Sequence, residues 1–387
     1  MPLCVPEIRG NEWTYVKETL DTGWVSSVGS YVTKFESSLA EYVGSCHAVA
    51  TVNGTAALHL ALLVAGVEPD DEVITSTLTF IAPANAIRYV GAWPIFIDAD
   101  RVYWQIDAEK VADFLNKGCV FRAGALRNRM TGRRVRALLP VHILGHPVDM
   151  QPLLALGRRY NLTVIEDATE SLGSTYCGVQ VGHLGDIACF SFNGNKLITT
   201  GGGGMLVTDR EDWARRARYL STQAKDDPLE YVHNTIGWNY RLTNIQAAFG
   251  LAQMEQLNAY ISAKRSIAHR YRKALSNVAG ITLMPEAEWA RSTFWLYTIL
   301  VDEAKFGRDS RDLLRTLDDC KIQTRPLWQP LHLSRAHTGA YATDCWVAES
   351  LYKQALSLPC SVGLSADVQD RVIHELLTRS GRVRKTA

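Results

Sequence analysis

The sequence lacks the features that mark several large classes of protein. Its 41 basic and 40 acidic side chains leave a net charge of +1, which gives no electrostatic reason to bind nucleic acid. No apolar run approaches the roughly 18 residues of a membrane-spanning helix, and the first residues do not have the pattern of a signal peptide. The eight cysteines are scattered without a C-x-x-C pair, which disfavours a disulfide framework or a zinc site. We therefore expect a cytoplasmic protein that binds neither nucleic acid nor a membrane.

Several common catalytic motifs are also missing. The chain contains neither the G-x-S-x-G of serine hydrolases nor the H-E-x-x-H of zinc proteases. A glycine run at 201–204 follows Lys196 instead of preceding it, so the order of the phosphate-binding P-loop is reversed. His142 and His146 have an H-x-x-x-H spacing, but a glycine and a proline between and beside them break the helix that a metal site would need. We expect no metal.

What the sequence does contain is a regular alternation of short apolar segments and helical periods. From residue 47 onward, seven apolar segments indicate buried strands, and amphipathic helical stretches separate most of them. This alternation predicts an α/β fold whose mainly parallel, seven-stranded sheet is covered on both faces by helices. The predicted strands are 47–52, 71–75, 94–98, 135–141, 162–167, 187–192 and 204–209.

The rest of the chain predicts a smaller α/β domain. A segment with helical periodicity runs through 242–275, is longer than a typical globular helix, and would link the two parts. Beyond it, a strand is predicted at 294–301 and helices at 309–319, 345–356 and 366–378. We therefore predict a large domain at 1–250, which includes the N-terminal segment, and a small C-terminal domain at 251–387, which includes the long helix.

Polar and aromatic residues follow several of the predicted strands, where ligands of parallel sheets bind. Asn53-Gly54-Thr55 stands between a strand and a helix and could hold a phosphate, although an ordinary helix cap would look the same. Asp167 ends one strand, and Glu170 follows it. Phe80 could stack on a flat ligand or pack in the core. Lys196 follows an apolar strand, where a solvated lysine is less expected, and the glycines after it would let the chain turn back.

Taken together, these residues match the needs of pyridoxal 5′-phosphate. This cofactor requires an amine for its Schiff base, an acid opposite its ring nitrogen, a cover over the ring and a phosphate site at a helix end. A buried aspartate keeps the ring nitrogen protonated through charge pairing. The lysine that forms the Schiff base also serves as the acid and base that moves protons.

The sequence resembles the DegT/DnrJ/EryC/StrS family of sugar aminotransferases along essentially its whole length. Seven segments carry the resemblance in order: "WVSSVGSYVTKFESSLAEYVG" (24–44), "NGTAALHLAL" (53–62), "STLTFIAPANAI" (76–87), "EDATESLGS" (166–174), "FSFNGNKLITTGGGG" (190–204), "GWNYRLTNIQAAFG" (237–250) and "TRPLWQPLH" (324–332). The resemblance implies the aspartate aminotransferase fold, known as fold type I, and a homodimer whose active sites are built across the subunit interface.

The resemblance also implies roles for individual residues. Lys196 would form the Schiff base and, with Asp167 at the pyridine nitrogen, would carry the chemistry. The cofactor would contact Gly54, Thr55, Ala56, Phe80, Asp167, Glu170, Ser191, Lys196 and Asn239, with Asn239 reaching the phosphate or substrate of the neighbouring subunit. The substrate would contact Trp24, Ser26, Ser27, Arg241 and His332. Relatives often carry histidine or glutamine where Glu170 stands, and many carry glutamate where Gly202 stands.

We therefore expect a transaminase that moves the amino group of L-glutamate to a nucleotide-linked keto-sugar. The segments "PEIRGNEW" and "GWVSSVGSYV" resemble the enzymes that aminate C-4″ of UDP-2-acetamido-4-keto-6-deoxy sugars in bacillosamine and legionaminic acid pathways of bacterial surface glycans such as O-antigens. Amination at C-3″ and a GDP- or dTDP-linked sugar are alternatives. A pyridoxal sugar dehydratase is disfavoured because such enzymes replace the lysine with histidine. A non-catalytic regulator is disfavoured because residues 1–46 hold no basic DNA-binding motif.

Overall fold

A computed structural model of the chain describes residues 1–227 and 229–378. The α-helices of this part of the chain are α1 (Glu12–Asp21), α2 (Ser30–Val43), α3 (Gly54–Val64), α4 (Ala82–Tyr89), α5 (Ala108–Asp113), α6 (Met150–Tyr160), α7 (Glu211–Ser221), α8 (Asn244–Leu275), α9 (Glu303–Phe306), α10 (Ser310–Asp319), α11 (Trp346–Gln354) and α12 (Ala366–Thr378). In the same residues, no helix is both long and apolar enough to cross a lipid bilayer.

The strands are shorter than most of the helices, and several have only two residues. They are β1 (His47–Thr51), β2 (Glu72–Ser76), β3 (Trp93–Ile97), β4 (Cys119–Arg122), β5 (Ala125–Asn128), β6 (Val135–Leu139), β7 (Thr163–Asp167), β8 (Thr175–Tyr176), β9 (Val179–Gln180), β10 (Ile187–Ser191), β11 (Gly204–Thr208), β12 (Ile281–Leu283), β13 (Ala290–Arg291), β14 (Tyr297–Val301), β15 (Tyr341–Ala342) and β16 (Ala355–Leu358).

The seven predicted strands of the large domain form one sheet, but this sheet has an eighth member. The order is β1-β11-β10-β7-β6-β2-β3-β15. Strands β10, β7, β6, β2, β3 and β15 run parallel, whereas β11 is antiparallel to both of its neighbours. The eighth strand, β15, has only two residues and comes from near position 341, too short to be recognised by alternation. The sheet is therefore mainly parallel, as expected, and one strand wider.

The two faces of the sheet are covered by different helices. In β1, Val49 packs in the cluster that contains Leu58 and Leu60 of α3. Its neighbours Ala48 and Ala50 point the other way, into the cluster that contains residues of α2 and α8. Because both faces are buried, the strands are mainly apolar, and the polar residues expected in the site follow the strands or lie at their carboxyl ends.

The C-terminal part of the chain forms a smaller antiparallel sheet in the order β12-β14-β16. One expectation here was wrong: the helix predicted to run to residue 356 ends at Gln354, and Ala355–Leu358 is strand β16. All four residues of β16 are buried and pair with β14, in a register that sets Tyr297 opposite Leu358. The apolar residues that suggested one more helical turn are instead the core of this sheet.

The proposed division at residue 250 falls within α8, which is continuous from 244 to 275. The first residues of the chain contact the C-terminal part directly, since Gln323 N donates to Met1 O at 2.9 Å and Cys360 N donates to Leu3 O at 2.8 Å. The N-terminal segment thus bridges the two parts, and the domain boundary remains a prediction.

Candidate active site

Lys196 lies in the loop between β10 and β11, with its side chain held between an aromatic ring and a carboxylate. Its Nζ is 3.9 Å from the centroid of the Trp295 ring and 3.7 Å from Glu170 Oε1, and 14% of the side chain is exposed. The indole Nε1 of Trp295 donates to Asn195 O at 2.7 Å, which fixes the ring against the loop. The amine borders a cavity of about 580 Å³, which we call the Lys196 cavity.

The amino end of α3 forms another wall of the Lys196 cavity. The Asn53 side chain caps this helix by accepting a hydrogen bond from Ala56 N at 2.8 Å. Gly54, Thr55 and Ser191 line the cavity at this end. A Cβ on Gly54 would lie 2.9 Å from the Cβ of Ser191, so only glycine lets the start of α3 and the end of β10 come this close. A helix amino end with two hydroxyl groups beside it is a suitable site for a phosphate.

The glycine run after Lys196 contributes to this same wall. Gly201 has a φ of 75°, which makes the expected turn. Gly204 has a second role that was not predicted, because a Cβ there would lie 2.4 Å from the carbonyl carbon of Asn53 and 2.6 Å from Gly54 N. The absence of a side chain at Gly204 thus lets the helix amino end sit directly against β11.

Two buried carboxyl groups, Asp167 and Glu170, interact electrostatically with the amine. Burial raises the pKa of Asp167, although Thr169 and the Lys196 charge act in the opposite direction, and Asp167 Oδ1 accepts a hydrogen bond from Thr169 N at 3.1 Å. Burial also raises the pKa of Glu170 to about 7, again opposed by Lys196. Glu170 Oε2 accepts from Leu144 N at 2.8 Å, which leaves Oε1 facing the amine. Glu170 is therefore a group that changes its charge near neutral pH.

Phe80 stands at the mouth of the Lys196 cavity with 54% of its surface exposed. The alternative that it packs in the core is wrong. An aromatic ring left open at the rim of a cavity presents its face to any flat ligand that enters.

Other predicted residues lie outside the Lys196 cavity. Trp24, Ser27 and Arg241 line a different cavity of about 820 Å³, which we call the Trp24 cavity. Arg241 is tied there to Glu36 by a 2.7 Å ion pair. Ser26 is near it, since Ser26 O accepts a hydrogen bond from Asn244 N at 2.6 Å.

Asn239, His332 and Ala56, which were also expected to contact the cofactor or the substrate, are not among the residues that line the Lys196 cavity. Asn239 is exposed and pairs its backbone with Thr222. His332 contacts Thr77 Oγ1 through Nδ1 at 2.8 Å and Glu349 through Nε2 at 3.3 Å. The amide of Ala56 already donates to the Asn53 side chain. The roles of these residues stay predictions.

The two histidines considered for a metal both have protein partners at each ring nitrogen. His142 contacts Glu166 through Nε2 at 3.0 Å and accepts from Val148 N through Nδ1 at 2.9 Å. The Nδ1 of His146 contacts Pro147 O, and its Nε2 accepts from Ala287 N. These rings pack and pair within the fold, and no ring nitrogen is left to bind an ion.

Several cavity residues were not assigned a role from the sequence. Trp295 was recognised only as part of a strand, and Arg325 and Trp328 only as part of the segment "TRPLWQPLH". An aromatic residue in a predicted strand carries no signal that it faces a ligand. The remaining unassigned residues that line the cavity include Leu3, Leu58, Thr169, Asn193 and Asn195.

The residues of the Lys196 cavity fit pyridoxal 5′-phosphate. A nearly buried amine, an open aromatic ring and a helix amino end with two hydroxyls match the aldehyde, ring face and phosphate in turn. Asp167, at the end of β7, is not among the residues that line the cavity, although it interacts electrostatically with Lys196, and its place at the ring nitrogen stays a prediction. The close approach permitted by Gly54 and Gly204 leaves a cradle that side chains would fill. These side chains and the helix end match the cofactor by their own chemistry, independently of the sequence resemblance.

The fold and the site define an aminotransferase that depends on pyridoxal phosphate. The chain belongs to the DegT/DnrJ/EryC1/StrS aminotransferase family, whose model matches residues 6–377. A GDP-perosamine synthase of Caulobacter vibrioides is 40% identical over 97% of this chain and 96% of its own length. Another, from Escherichia coli O157:H7, is 40% identical over 94% of each chain. The solved structure of DesV from S. venezuelae superposes with a TM-score of 0.86 at 30% identity, covering 96% of this chain and 95% of that one.

Proposed function

We propose that the protein transfers the amino group of L-glutamate to the 4-keto carbon of a nucleotide-linked 6-deoxy sugar, and that the nucleotide is GDP. The observation that carries the proposal is a nearly buried amine, Lys196, facing a cavity that also holds a helix amino end. We place GDP before the UDP suggested by the N-terminal segments because two relatives of 40% identity are named GDP-perosamine synthases. The product would serve bacterial surface glycans.

The residues of the Lys196 cavity divide the work of the reaction. Bound pyridoxal phosphate supplies an aldehyde that accepts the amino group and a ring that delocalises the electrons of the broken C–H bond. Lys196 Nζ removes the proton from the α-carbon of glutamate and returns a proton to the sugar carbon in the second half of the cycle. Thr55, Ser191 and the amino end of α3 bind the phosphate, and Asp167 keeps the ring nitrogen protonated.

Glu170 would adjust the charge around the amine during this cycle. It faces Lys196 across 3.7 Å, with its other oxygen fixed by Leu144 N. Because its pKa is raised to about 7, it loses or accepts a proton at little cost near neutral pH. It therefore can carry the opposite charge when Lys196 is protonated and become neutral when Lys196 is not.

We also propose a homodimer in which the Trp24 cavity of one subunit meets the Lys196 cavity of the other. Large apolar side chains are exposed in two segments near the predicted substrate residues: Trp24, Val25 and Val28 in one, and Leu229, Tyr231, Val232 and Ile236 in the other. Exposed apolar groups of this number suit a contact with another chain. Such a contact would also bring Asn239, Arg241 and His332 to a shared site. A cytoplasmic location stays part of the proposal; all eight cysteines lie in the described residues and none forms a disulfide bond.

A panel of nucleotide-linked keto-sugars tests the substrate. The purified enzyme, loaded with pyridoxal phosphate and given excess glutamate, would be mixed with GDP-linked and UDP-linked 4-keto-6-deoxy sugars and with a dTDP-linked 3-keto sugar. We expect the GDP-linked sugar to be aminated with a kcat/KM at least about tenfold above the others, as one well-placed base contact provides. Mass spectrometry of the nucleotide sugar measures the product.

The outcomes separate the parts of the proposal. Turnover of the UDP-linked 4-keto sugar alone would restore the original expectation and reject GDP. Turnover of the 3-keto sugar alone would reject the 4-keto carbon. Formation of 2-oxoglutarate from glutamate with no sugar aminated would leave the transaminase intact and reject this set of acceptors.

A further inference from the structure

A buried lysine and two cysteines form a cluster beneath the loop that carries Lys196. Lys264 of α8 is fully enclosed, and its Nζ donates to Trp295 O at 2.8 Å and to Cys360 O at 2.6 Å. The same nitrogen is 3.4 Å from the sulfur of Cys4 and 3.6 Å from that of Cys360. One ammonium group therefore touches both sulfur atoms.

The two cysteines lie on adjacent stretches of backbone. Cys360 N donates to Leu3 O at 2.8 Å, and Val5 N donates to Ser361 Oγ at 3.0 Å, so the segments are tied on both sides of Cys4. Neither sulfur has to cross the core to reach the other, because both already contact the same nitrogen. A disulfide bond needs two cysteines on backbone segments that lie close together, and the hydrogen bonds between these segments hold them close.

The environment makes the two sulfur atoms unequal. A hydrogen bond from the Cys360 thiol, together with the Lys264 charge, lowers the pKa of Cys4 to about 5 in spite of burial. The hydrogen bond to Cys4, with burial, raises the pKa of Cys360. Cys4 is partly exposed, whereas Cys360 is buried. A half-buried cysteine with a lowered pKa beside a fully buried cysteine with a raised pKa is the arrangement of an attacking and a resolving cysteine.

The cluster is joined directly to the Lys196 cavity. Cys4 Sγ is 3.4 Å from Asn195 O, the residue before Lys196, and Leu3 lines the cavity itself. Trp295, whose ring contacts the Lys196 amine, receives the Lys264 hydrogen bond at its carbonyl. A chemical change at Cys4 therefore occurs at the base of the loop that positions the amine.

We propose that Cys4, Lys264 and Cys360 form a thiol-modification site, in which Cys4 reacts first with a low-molecular-weight disulfide and Cys360 then closes a disulfide bond with it. In the first step, Cys4 sulfur attacks one sulfur of the small disulfide, a mixed disulfide forms and one small thiolate leaves. In the second, Cys360 loses its proton to solvent and attacks Cys4 sulfur, and the second small thiolate leaves. Two protein thiols are oxidised by two electrons, and one small disulfide is reduced to two thiols.

The pH dependence of alkylation tests the first half of this proposal, and the chain supplies its own control. Cys46 is fully exposed, but the carboxylate of Asp209 raises its pKa. The holoenzyme would be treated with iodoacetamide between pH 6 and pH 8, and each cysteine followed by peptide mass spectrometry. We expect the rate at Cys4 to change by less than about threefold over this range, and the rate at Cys46 to rise by about tenfold per pH unit. A parallel rise at both, or no reaction at Cys4, would overturn the proposal.

Oxidised glutathione tests the second half. The holoenzyme should lose two hydrogen atoms in mass without retaining glutathione, and digestion should yield a peptide pair joined through Cys4 and Cys360. The Cys360→Ser variant should instead retain one glutathione on Cys4, since no resolving thiol remains. A stable glutathione adduct on the wild-type protein, or a bond between other cysteines, would reject the pairing. Both readouts are independent of the substrate proposed above.

Discussion

The Lys196 cavity and the Trp24 cavity differ in how completely one chain builds them. In the first, an amine, two buried carboxyl groups nearby and a helix amino end converge from strands of one sheet. In the second, Trp24 is largely exposed and no strand end of the sheet reaches the wall. Most of the predicted cofactor contacts thus line one cavity of the single chain, whereas Asn239 and the predicted substrate contacts lie apart from it.

This difference follows from the topology of the sheet. Parallel strands bring their carboxyl ends to the same edge of the sheet. Asp167, Ser191 and the start of α3 therefore lie at that edge, independently of contacts made elsewhere in the molecule. The residues near position 24 are carried by the connection between α1 and α2, which is hydrogen-bonded to Asn244 at the start of α8. A second copy of the chain is one way to bring the two cavities together.

The largest predicted change is the loss of activity in two variants, and mixing their subunits tests whether one active site is built from two chains. Lys196→Ala should lower activity by about 10³-fold or more, because the group that moves protons is lost. Asn239→Ala should lower it by about tenfold or more if the side chain reaches the neighbouring site. In a hybrid dimer made by co-expression and purified with two tags, one site holds both native residues, so activity should return to about half that of the wild type.

The matched control for this experiment is Lys117→Ala, since Lys117 is an exposed lysine paired with Asp113 on the surface. That variant should keep full activity, and borohydride should still attach the cofactor to it at Lys196. A hybrid dimer whose activity does not exceed that of the Asn239→Ala parent would show that Lys196 and Asn239 serve the same subunit's site.

Sequence patterns were sufficient for seven of the eight strands of the sheet and for several residues at the strand ends. Each strand is buried on both faces, so it appears as a short apolar run, and the first polar residue after it marks the functional edge. Asp167 was found in this way, and Ser191 was named only through the family resemblance; the structure places Ser191 against the start of α3 and Asp167 at the end of the neighbouring strand β7. These features are local, because a few neighbouring residues determine them.

The features that the sequence did not show depend on contacts between distant segments. Trp295 donates a hydrogen bond to the loop at Asn195, 100 positions away along the chain. The local sequence around either residue does not predict this contact. Strand β16 looked helical because its apolar residues continue the pattern of α11, and only pairing with β14 decides its conformation. Gly204 looked like part of a turn, whereas its role is set by its approach to Asn53.

A substitution at Gly204, with Gly202 as the control, should weaken cofactor binding by an intermediate amount and tests the wall of the Lys196 cavity. Gly204→Ala would place a Cβ 2.4 Å from the carbonyl carbon of Asn53, so the amino end of α3 must shift. We expect the dissociation constant of pyridoxal phosphate to rise by about tenfold or more, equivalent to about 1.4 kcal/mol. Gly202→Ala meets no atom nearer than 3.9 Å and should bind the cofactor normally. Equal affinities, measured by absorbance titration, would show that this backbone contact does not shape the phosphate site.

The smallest predicted effect is the contribution of Glu170 to the pH dependence of stability, and the sign of this contribution follows from the raised pKa of Glu170. Burial moves the carboxyl from its ordinary 4.5 to about 7 in the folded protein. Between these values the folded state holds a proton that the unfolded state releases, so the free energy of unfolding falls as pH rises. Glu170→Gln cannot titrate, and from pH 5 to pH 7.5 the wild type should therefore lose about 2 kcal/mol more stability than this variant.

Denaturant unfolding of the cofactor-free protein at several pH values measures this difference, with Glu288→Gln, an exposed carboxyl, as the matched control. The control should follow the wild type at every pH, because its carboxyl is in water in both states. If Glu170→Gln also follows the wild type, then Glu170 is already ionised at pH 5 and stays paired with Lys196 throughout. In that case the carboxyl would be a fixed negative charge beside the amine, and it would not act as a group that exchanges a proton during the reaction.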